Sequence, residues 1–181
     1  MNKSDIRQEI RRRKATYSAQ QRAELSHIII NQLESLPQWQ QTQTVLLYHS
    51  LPDEVDTHDL IQHSRQAGKR VLLPVVTGND LELREFQSGV ELAEGSFHIL
   101  EPRGEAFTDF ETISMAVIPG VAFTKEGLRL GRGKGFYDRL LPLLKKAYKV
   151  GICWPFQLVG QIPCETHDIP MDAVIAGEGD L

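Results

Sequence analysis

Only two cysteines, Cys153 and Cys164, occur in the 181 residues. That is too few for a disulfide scaffold, and neither lies in the clustered Cys or His spacing of a zinc site. Reduced thiols with structural roles are the expectation. No apolar run approaches the roughly 18 residues needed to span a membrane. The opening Met1-Asn2-Lys3-Ser4-Asp5 lacks the apolar stretch of a signal peptide. These absences point to a cytoplasmic protein with no membrane partner. Internal repeats, low-complexity tracts and domain-separating linkers are also missing, so residues 1–181 are expected to form one domain, and nothing in them demands self-association, which leaves a monomer as the default.

What is present is ordinary in amount. Hydrophobic residues make up 41% and charged residues 24%, which excludes a disordered tail or a coiled coil. The net charge of −4 argues against a wholly basic, nucleic-acid-binding surface. Its distribution is uneven. Residues 1–14 carry six basic groups against Asp5 and Glu9, and residues 125–149 carry eight against Glu126 and Asp138. Two basic islands in an otherwise acidic chain suggest a localised anion site if folding joins them, or else two solvated helix faces.

Ile6 and Ile10, four apart among charges, predict a short amphipathic helix over Ser4 to Lys14. Ser18-Ala19-Gln20-Gln21 fits a capping box, and Leu25, Ile28, Ile29, Leu33 and Leu36 follow with helical spacing until Pro37 ends the pattern. Val45 to Tyr48, Val71 to Pro74 and Met115 to Ile118 are apolar runs suited to strands buried on both faces. Leu81 to Phe86, Lys149 to Cys153 and Ala173 to Ala176 are further strand candidates. Thr57 to Ala67 reads as a helix with Leu60 and Ile61 inward and Gly68 past its end, and a longer helix is predicted from Phe136 to Ala147, bent at Pro142. Residues 87–112 read as an irregular excursion. Alternating strands and helices predict an α/β protein, with a mainly parallel sheet between two helical layers.

Candidate chemistry concentrates at Gly131-Arg132-Gly133-Lys134-Gly135. In parallel α/β sheets ligands bind in loops that lead from strands into helices, and this loop precedes one. Alternate glycines let the backbone approach a ligand, and freed amides at a helix start favour an anion. Arg129, Arg132 and Lys134 add full charges. A Walker A loop ending at Lys134 would need Gly at 128 and Ser or Thr at 135, where Leu128 and Gly135 stand; a dinucleotide fingerprint would need Gly where Phe136 stands. The remaining readings are a phosphate site of another kind, or a turn whose basic residues pair with carboxylates. Asp138, in the first helical turn, either joins a phosphate through magnesium, caps the helix, or pairs with an arginine. Asp168 is a second carboxylate of that kind or a turn residue.

The run Arg129-Leu130-Gly131-Arg132-Gly133-Lys134-Gly135-Phe136-Tyr137-Asp138-Arg139 resembles the signature of the 5-formyltetrahydrofolate cyclo-ligase family, whose members are also called methenyltetrahydrofolate synthetases. The resemblance spans nearly the whole chain. It includes Lys3-Ser4-Asp5-Ile6-Arg7, Asp53-Glu54-Val55-Asp56-Thr57, Pro119-Gly120-Val121-Ala122-Phe123, and the segment Pro163 to Asp168. It implies a three-layer α/β/α fold similar to sugar-phosphate isomerases and coenzyme A transferases. The implied activity is ATP- and magnesium-dependent conversion of 5-formyltetrahydrofolate into 5,10-methenyltetrahydrofolate.

By position, the resemblance assigns ATP to Lys3, Arg7, Arg129, Gly131, Arg132, Gly133, Lys134, Gly135, Phe136 and Tyr137. It assigns Mg2+ to Asp138 and Asp168, and the folate pocket to His49 and Glu54, with Arg132 to Phe136 touching both ligands. Arg132 and Lys134 are the candidates for stabilising the transferring phosphoryl group. Glu54 can accept two donors from an amino-pyrimidine edge, and Phe136, Tyr137 or Trp154 can stack on the ring. Two other readings are weighed: a sugar-phosphate isomerase without ATP turnover, and nucleic-acid binding by Arg11-Arg12-Arg13-Lys14, which the acidic remainder disfavours.

Overall fold

Apolar runs without polar alternation form strands that are covered on both faces. The structure, a computed structural model that describes residues 2–87, 93–94, 100–166 and 168–177, places them in the centre of a sheet. The strands are β1 (Thr44–Leu46), β2 (Arg70–Thr77), β3 (Asp80–Glu85), β4 (Ala93–Glu94), β5 (Leu100–Glu101), β6 (Met115–Ile118), β7 (Ala122–Phe123), β8 (Arg129–Leu130), β9 (Tyr148–Ile152) and β10 (Ala173–Ile175). The helices are α1 (Lys3–Lys14), α2 (Ala19–Ser35), α3 (Pro37–Gln41), α4 (His58–Gln66) and α5 (Phe136–Leu140). Six strands form one sheet in the order β10-β9-β6-β1-β2-β3, parallel except for β3.

Side chains alternate between two apolar layers. Val45, Val71 and Val117 face one side, where Ile29 and Leu33 of α2 and Leu60 and Ile61 of α4 cover them. Leu46, Leu72 and Ile118 face the other, under Phe123, Leu140, Leu141 and Leu144. A third, smaller cluster joins Ile6 and Ile10 of α1 to Ala122 and Leu130, so α1 is docked on the β7–β8 hairpin. That docking brings the amino-terminal basic island to the glycine-rich loop.

Several local expectations stand. The Ser18 hydroxyl accepts from the Gln21 amide and the Gln21 side chain accepts from the Ser18 amide, at 3.1 and 2.8 Å. Gly68 follows α4 with a φ of 85°. Others are corrected. The helix over 136–147 stops at Leu140, and a 3-10 turn over Leu141–Leu143 follows. Pro142 lacks the N–H a longer helix would use and crowds the preceding turn. Ile28 is exposed, because the buried line of α2 runs through Ser26, Ile29 and Leu33. Pro37 ends α2 but also opens α3, at a position where a missing N–H costs nothing. α1 begins a residue earlier than expected. Asn2 and Asp5 form a capping box there, with the Asn2 side chain accepting from the Ser4 and Asp5 amides.

β3 runs antiparallel to β2 across a tight hairpin, rather than joining the parallel set. Within 87–112, residues 88–92 and 95–99 lie outside the described residues. The described part is not wholly irregular, since β4 pairs with β5 and a 3-10 turn spans Phe110–Thr112.

Ile6 is fully buried between α1 and the hairpin. Ile6→Ala should lower unfolding free energy by about 2–5 kcal/mol, read by urea denaturation. A loss below about 1 kcal/mol would mean that α1 is not anchored by this cluster.

Candidate functional site

From β1 the chain moves to β2 on one side of the sheet and later returns to β6 on the other. The segments leaving the carboxyl ends of β1 and β6 therefore diverge, and α/β sheets bind ligands in such crevices. Here the crevice is a cavity of about 290 Å³. Tyr48 and His49 line it from the segment after β1, Pro119 and Gly120 from the segment after β6, and the whole loop from Gly131 to Gly135 joins them. Pro74, Val76 and Leu81, from the β2–β3 hairpin, supply an apolar wall. The buried Gln157 side chain fixes the approach to the loop by donating to the carbonyls of Gly120 and Val121 at 3.0 and 3.1 Å.

Gly133 and Gly135 have φ of 98° and 71°, conformations that residues with a Cβ adopt with difficulty. The glycines also make room for arginines. Arg7 Nε donates to the Gly131 carbonyl at 2.9 Å, and its guanidinium lies where a Cβ on Gly133 would touch it. A Cβ on Gly135 would come within 2.6 Å of the Arg139 guanidinium. Arg139 donates to the Lys134 carbonyl at 3.2 Å and pairs with Asp80 of β3 at 2.8 Å. The two basic islands do meet, around a loop whose path needs glycine.

Each arginine of the loop region is paired with a carboxylate. Arg132 reaches Asp53 at 2.7 and 3.1 Å and Glu54 at 3.0 Å. Arg129 donates to Asp138 and lies 5.5 Å from the centre of the Tyr137 ring, while Arg139 lies 5.7 Å from that of Phe136. Of the alternatives open for Asp138, the arginine pair is the one formed. Asp168 accepts from the Glu165 amide at 2.8 Å, as a turn residue does, and also lies 4.0 Å from Lys3, which pairs with Glu165 at 3.5 Å.

Asp138 and Asp168 nevertheless share a small hollow with Arg129 and Cys164, and Arg129 and Asp138 also line the main cavity. No group of three or more potential metal ligands occurs among the described residues. Two carboxylates beside a place for phosphate oxygens are still the donor set magnesium accepts, because this ion keeps several waters. The donor chemistry therefore fits a divalent cation, provided that Asp138 loosens its hold on Arg129.

Glu54 is mostly buried, and its Oε2 accepts from the Leu51 amide at 2.9 Å. Burial pushes its carboxyl above the usual range, with the Leu51 amide and Arg132 pulling the other way. Burial, and then the charge of Glu54, likewise raise the phenol of Tyr137 against the pull of Arg129, so it remains a hydroxyl donor. The His49 and His58 rings lie tilted against each other with centres 4.2 Å apart. Burial and the like charge of His58 lower the His49 pKa, and Asp56 opposes them.

His49, Glu54, Arg129, Phe136, Tyr137 and Asp138 all line the same cavity as the glycine loop. Arg7 joins the loop directly, whereas Lys3 and Asp168 stand at the adjoining hollow. Trp154 is not a wall of either. It is buried in the core, where its indole donates to Ser26 and the Arg22 carbonyl. Sequence reasoning missed Tyr48, the apolar wall, and Glu101, whose carboxylate accepts from the Val76 amide at 3.1 Å. It also left Asp53 without a role, although that residue adjoins Glu54.

A mainly parallel α/β sheet with a glycine-rich, arginine-bound loop at its switch point defines an α/β protein with a cationic crevice where such sheets bind ligands. The comparisons narrow that class. The sequence model of the 5-formyltetrahydrofolate cyclo-ligase family matches residues 1–177. A probable 5-formyltetrahydrofolate cyclo-ligase of Schizosaccharomyces pombe is 34% identical over 168 residues, covering 83% of this chain and 82% of the relative. The 5-formyltetrahydrofolate cyclo-ligase of Escherichia coli K12 is 32% identical over 173 residues, covering 92% and 95%. Among solved structures, the 5,10-methenyltetrahydrofolate synthetase of Aquifex aeolicus superposes with a TM-score of 0.87 at 37% identity, covering 99% of this chain and 91% of that one. The chain belongs to the 5-formyltetrahydrofolate cyclo-ligase family, a family of ligases.

The histidine pair yields a direct check. Removing the neighbouring imidazole in His58→Ala should move the His49 titration upward, though burial keeps it below the ordinary histidine value. An NMR titration of the His49 ring reads this, and an unmoved midpoint would show that the two rings do not interact electrically.

Proposed function

We propose that this protein closes the imidazoline ring of 5-formyltetrahydrofolate with ATP, giving 5,10-methenyltetrahydrofolate, ADP and phosphate. The observation that carries the reading is one cavity with a carboxylate suited to a pterin edge, Glu54, and a cationic glycine loop suited to phosphates, in a chain of this family. Its volume is at the small end of ligand pockets, about 300–1,000 Å³. We therefore place the folate ring inside it, against the apolar wall and Phe136 or Tyr137. The triphosphate runs along Arg129 to Tyr137 toward the second hollow, with Lys3 and Arg7 closing from α1.

The formyl oxygen is a poor leaving group until it is activated. In the proposed sequence it attacks the γ-phosphate and ADP leaves. N10 then adds to the activated formyl carbon and releases its proton, and phosphate departs with the former formyl oxygen. Such chemistry needs positioning and charge neutralisation rather than a protein nucleophile. Arg132 and Lys134 stabilise the phosphoryl group in flight. Gly131, Gly133 and Gly135 let backbone approach both ligands, and Glu54 orients the pterin by accepting from its amino edge. Asp138 and Asp168 would hold magnesium, which supplies charge neutralisation to the phosphates when bound. We read residues 1–181 as one three-layer α/β/α unit like the sugar-phosphate isomerases and coenzyme A transferases. Two separate apolar layers, one on each sheet face, support this. We place it in the cytoplasm, acting as a monomer on two small molecules. Among the described residues no helix is long and apolar enough to cross a membrane, and both cysteines are free thiols.

Purified protein with 5-formyltetrahydrofolate, ATP and magnesium should produce the absorbance of the conjugated methenyl product; no growth would sink the assignment. Lys134→Ala should reduce turnover by about 100-fold or more, with an unchanged unfolding midpoint, and full activity would remove Lys134 from the phosphate role.

Glu54 carries a pH prediction. Its raised pKa means that the carboxylate is lost on acidification at a higher pH than usual, so KM for the folate should rise as pH falls through that point. Glu54→Gln should raise KM by about tenfold or more and flatten this dependence. An unchanged profile in the variant would assign the pH effect elsewhere.

A further inference from the structure

We propose that Asp53 is a positioning residue for the reaction, acting through Arg132. This rests on the reading of Arg132 as the group that steadies the transferring phosphoryl. Arg132 stands on a glycine-flanked loop with little of its own to fix the side chain, and its guanidinium is held by two carboxylates 78 and 79 residues away in the chain. Asp53 takes the end of the fork with both oxygens, Oδ1 from Nη2 at 2.7 Å and Oδ2 from Nη1 at 3.1 Å. A two-point contact of this kind sets the orientation of a guanidinium, where a single contact sets only its distance.

Asp53 is itself anchored. Lys14, at the end of α1, pairs with the same Oδ2 at 3.3 Å. The brace thus runs from α1 through Asp53 to the loop, beside the second link from α1, Arg7 to the Gly131 carbonyl. Arg132 is bound to Asp53 and Glu54 by three of its five N–H groups, which leaves Nε–H and one N–H on Nη1 outside these bonds to meet phosphate oxygens. Asp53 and Arg132 are each nearly half exposed. Ion pairs so open to solvent contribute little to folding, so the value of this contact lies in where it places the guanidinium. Glu54 is expected to turn to the pterin edge when folate binds, and Asp53 is then the carboxylate left to hold the fork.

The test is a kinetic double-mutant cycle on the full chain with Asp53→Asn, Arg132→Gln and the pair, assayed by methenyl product formation. Asp53→Asn should lower kcat about tenfold while KM for either substrate changes less than about twofold, since small misplacements of a catalytic group cost rate. In the Arg132→Gln background the same substitution should change kcat by less than about twofold, because it then has nothing to position. An equal loss in both backgrounds, or unchanged kcat in Asp53→Asn, overturns the proposal. If Asp53→Asn does not fold, Lys14→Met decides: a fall in kcat supports the brace, and an unchanged kcat overturns it. An inactive wild-type protein instead overturns the functional reading itself and the proposal with it.

Discussion

The crossover from β1 to opposite sides of the sheet is the constraint on which the site depends. Because β2 and β6 flank β1, the chain beyond Leu46 and beyond Ile118 must part, and the gap that opens is bounded by backbone that the sheet holds rigidly. Tyr48, His49, Glu54, Pro119 and Gly120 line the gap from the segments that leave β1 and β6, and the rest of its lining is delivered from elsewhere in the chain. The β7–β8 hairpin carries Arg129 and the glycine loop to its edge, α1 docks on the hairpin through Ile6 and Ile10, and β3 folds back to close the apolar side. Loss of the docking would leave the loop without Arg7, and loss of the hairpin would strip α1 of the Ala122 and Leu130 part of the surface it packs on.

The electrostatic design follows from the same geometry. Arg7, Arg129 and Arg139 meet a loop that carries Arg132 and Lys134 and no acidic residue of its own, and the protein answers with carboxylates drawn from three other places. Asp53 and Glu54 come from the segment after β1, Asp80 from β3, and Asp138 from α5. These pairs keep a concentrated positive field from repelling itself, yet most are open enough to exchange a carboxylate for a phosphate at modest cost. Glu54 differs because it is buried. Its raised pKa marks a charge held out of water, which favours a partner with matched donors over bulk solvent.

Interactions within one or two turns were legible from the residues alone. The Ser18–Gln21 capping box, the turn glycine after α4, the doubly buried runs at Val45, Val71 and Met115, and the glycine loop all stand, since each depends on neighbours a few positions away. The eleven-residue motif likewise pointed to the family, and with it to Glu54 and His49 on the far wall. The corrections fall where local patterns were ambiguous. The stretch after Phe136 has helical spacing, but Pro142 ended the helix, and Ile28 fits the apolar period of α2 yet lies off its packed line.

What the amino-acid sequence determined by itself is therefore most of the long elements, the class of sheet and the place of the glycine-rich cationic loop, because propensity, caps and hydrophobic period act over short separations. Only the tertiary structure decided which side chains face one another across the crevice. Pro74, Val76, Leu81 and Glu101 became walls because β3 turned antiparallel and β5 came alongside, and Asp53 met Arg132 because two loops left the sheet at the same end. Such contacts join residues dozens of positions apart, and their partners are chosen by how layers pack rather than by any pattern in the chain between them.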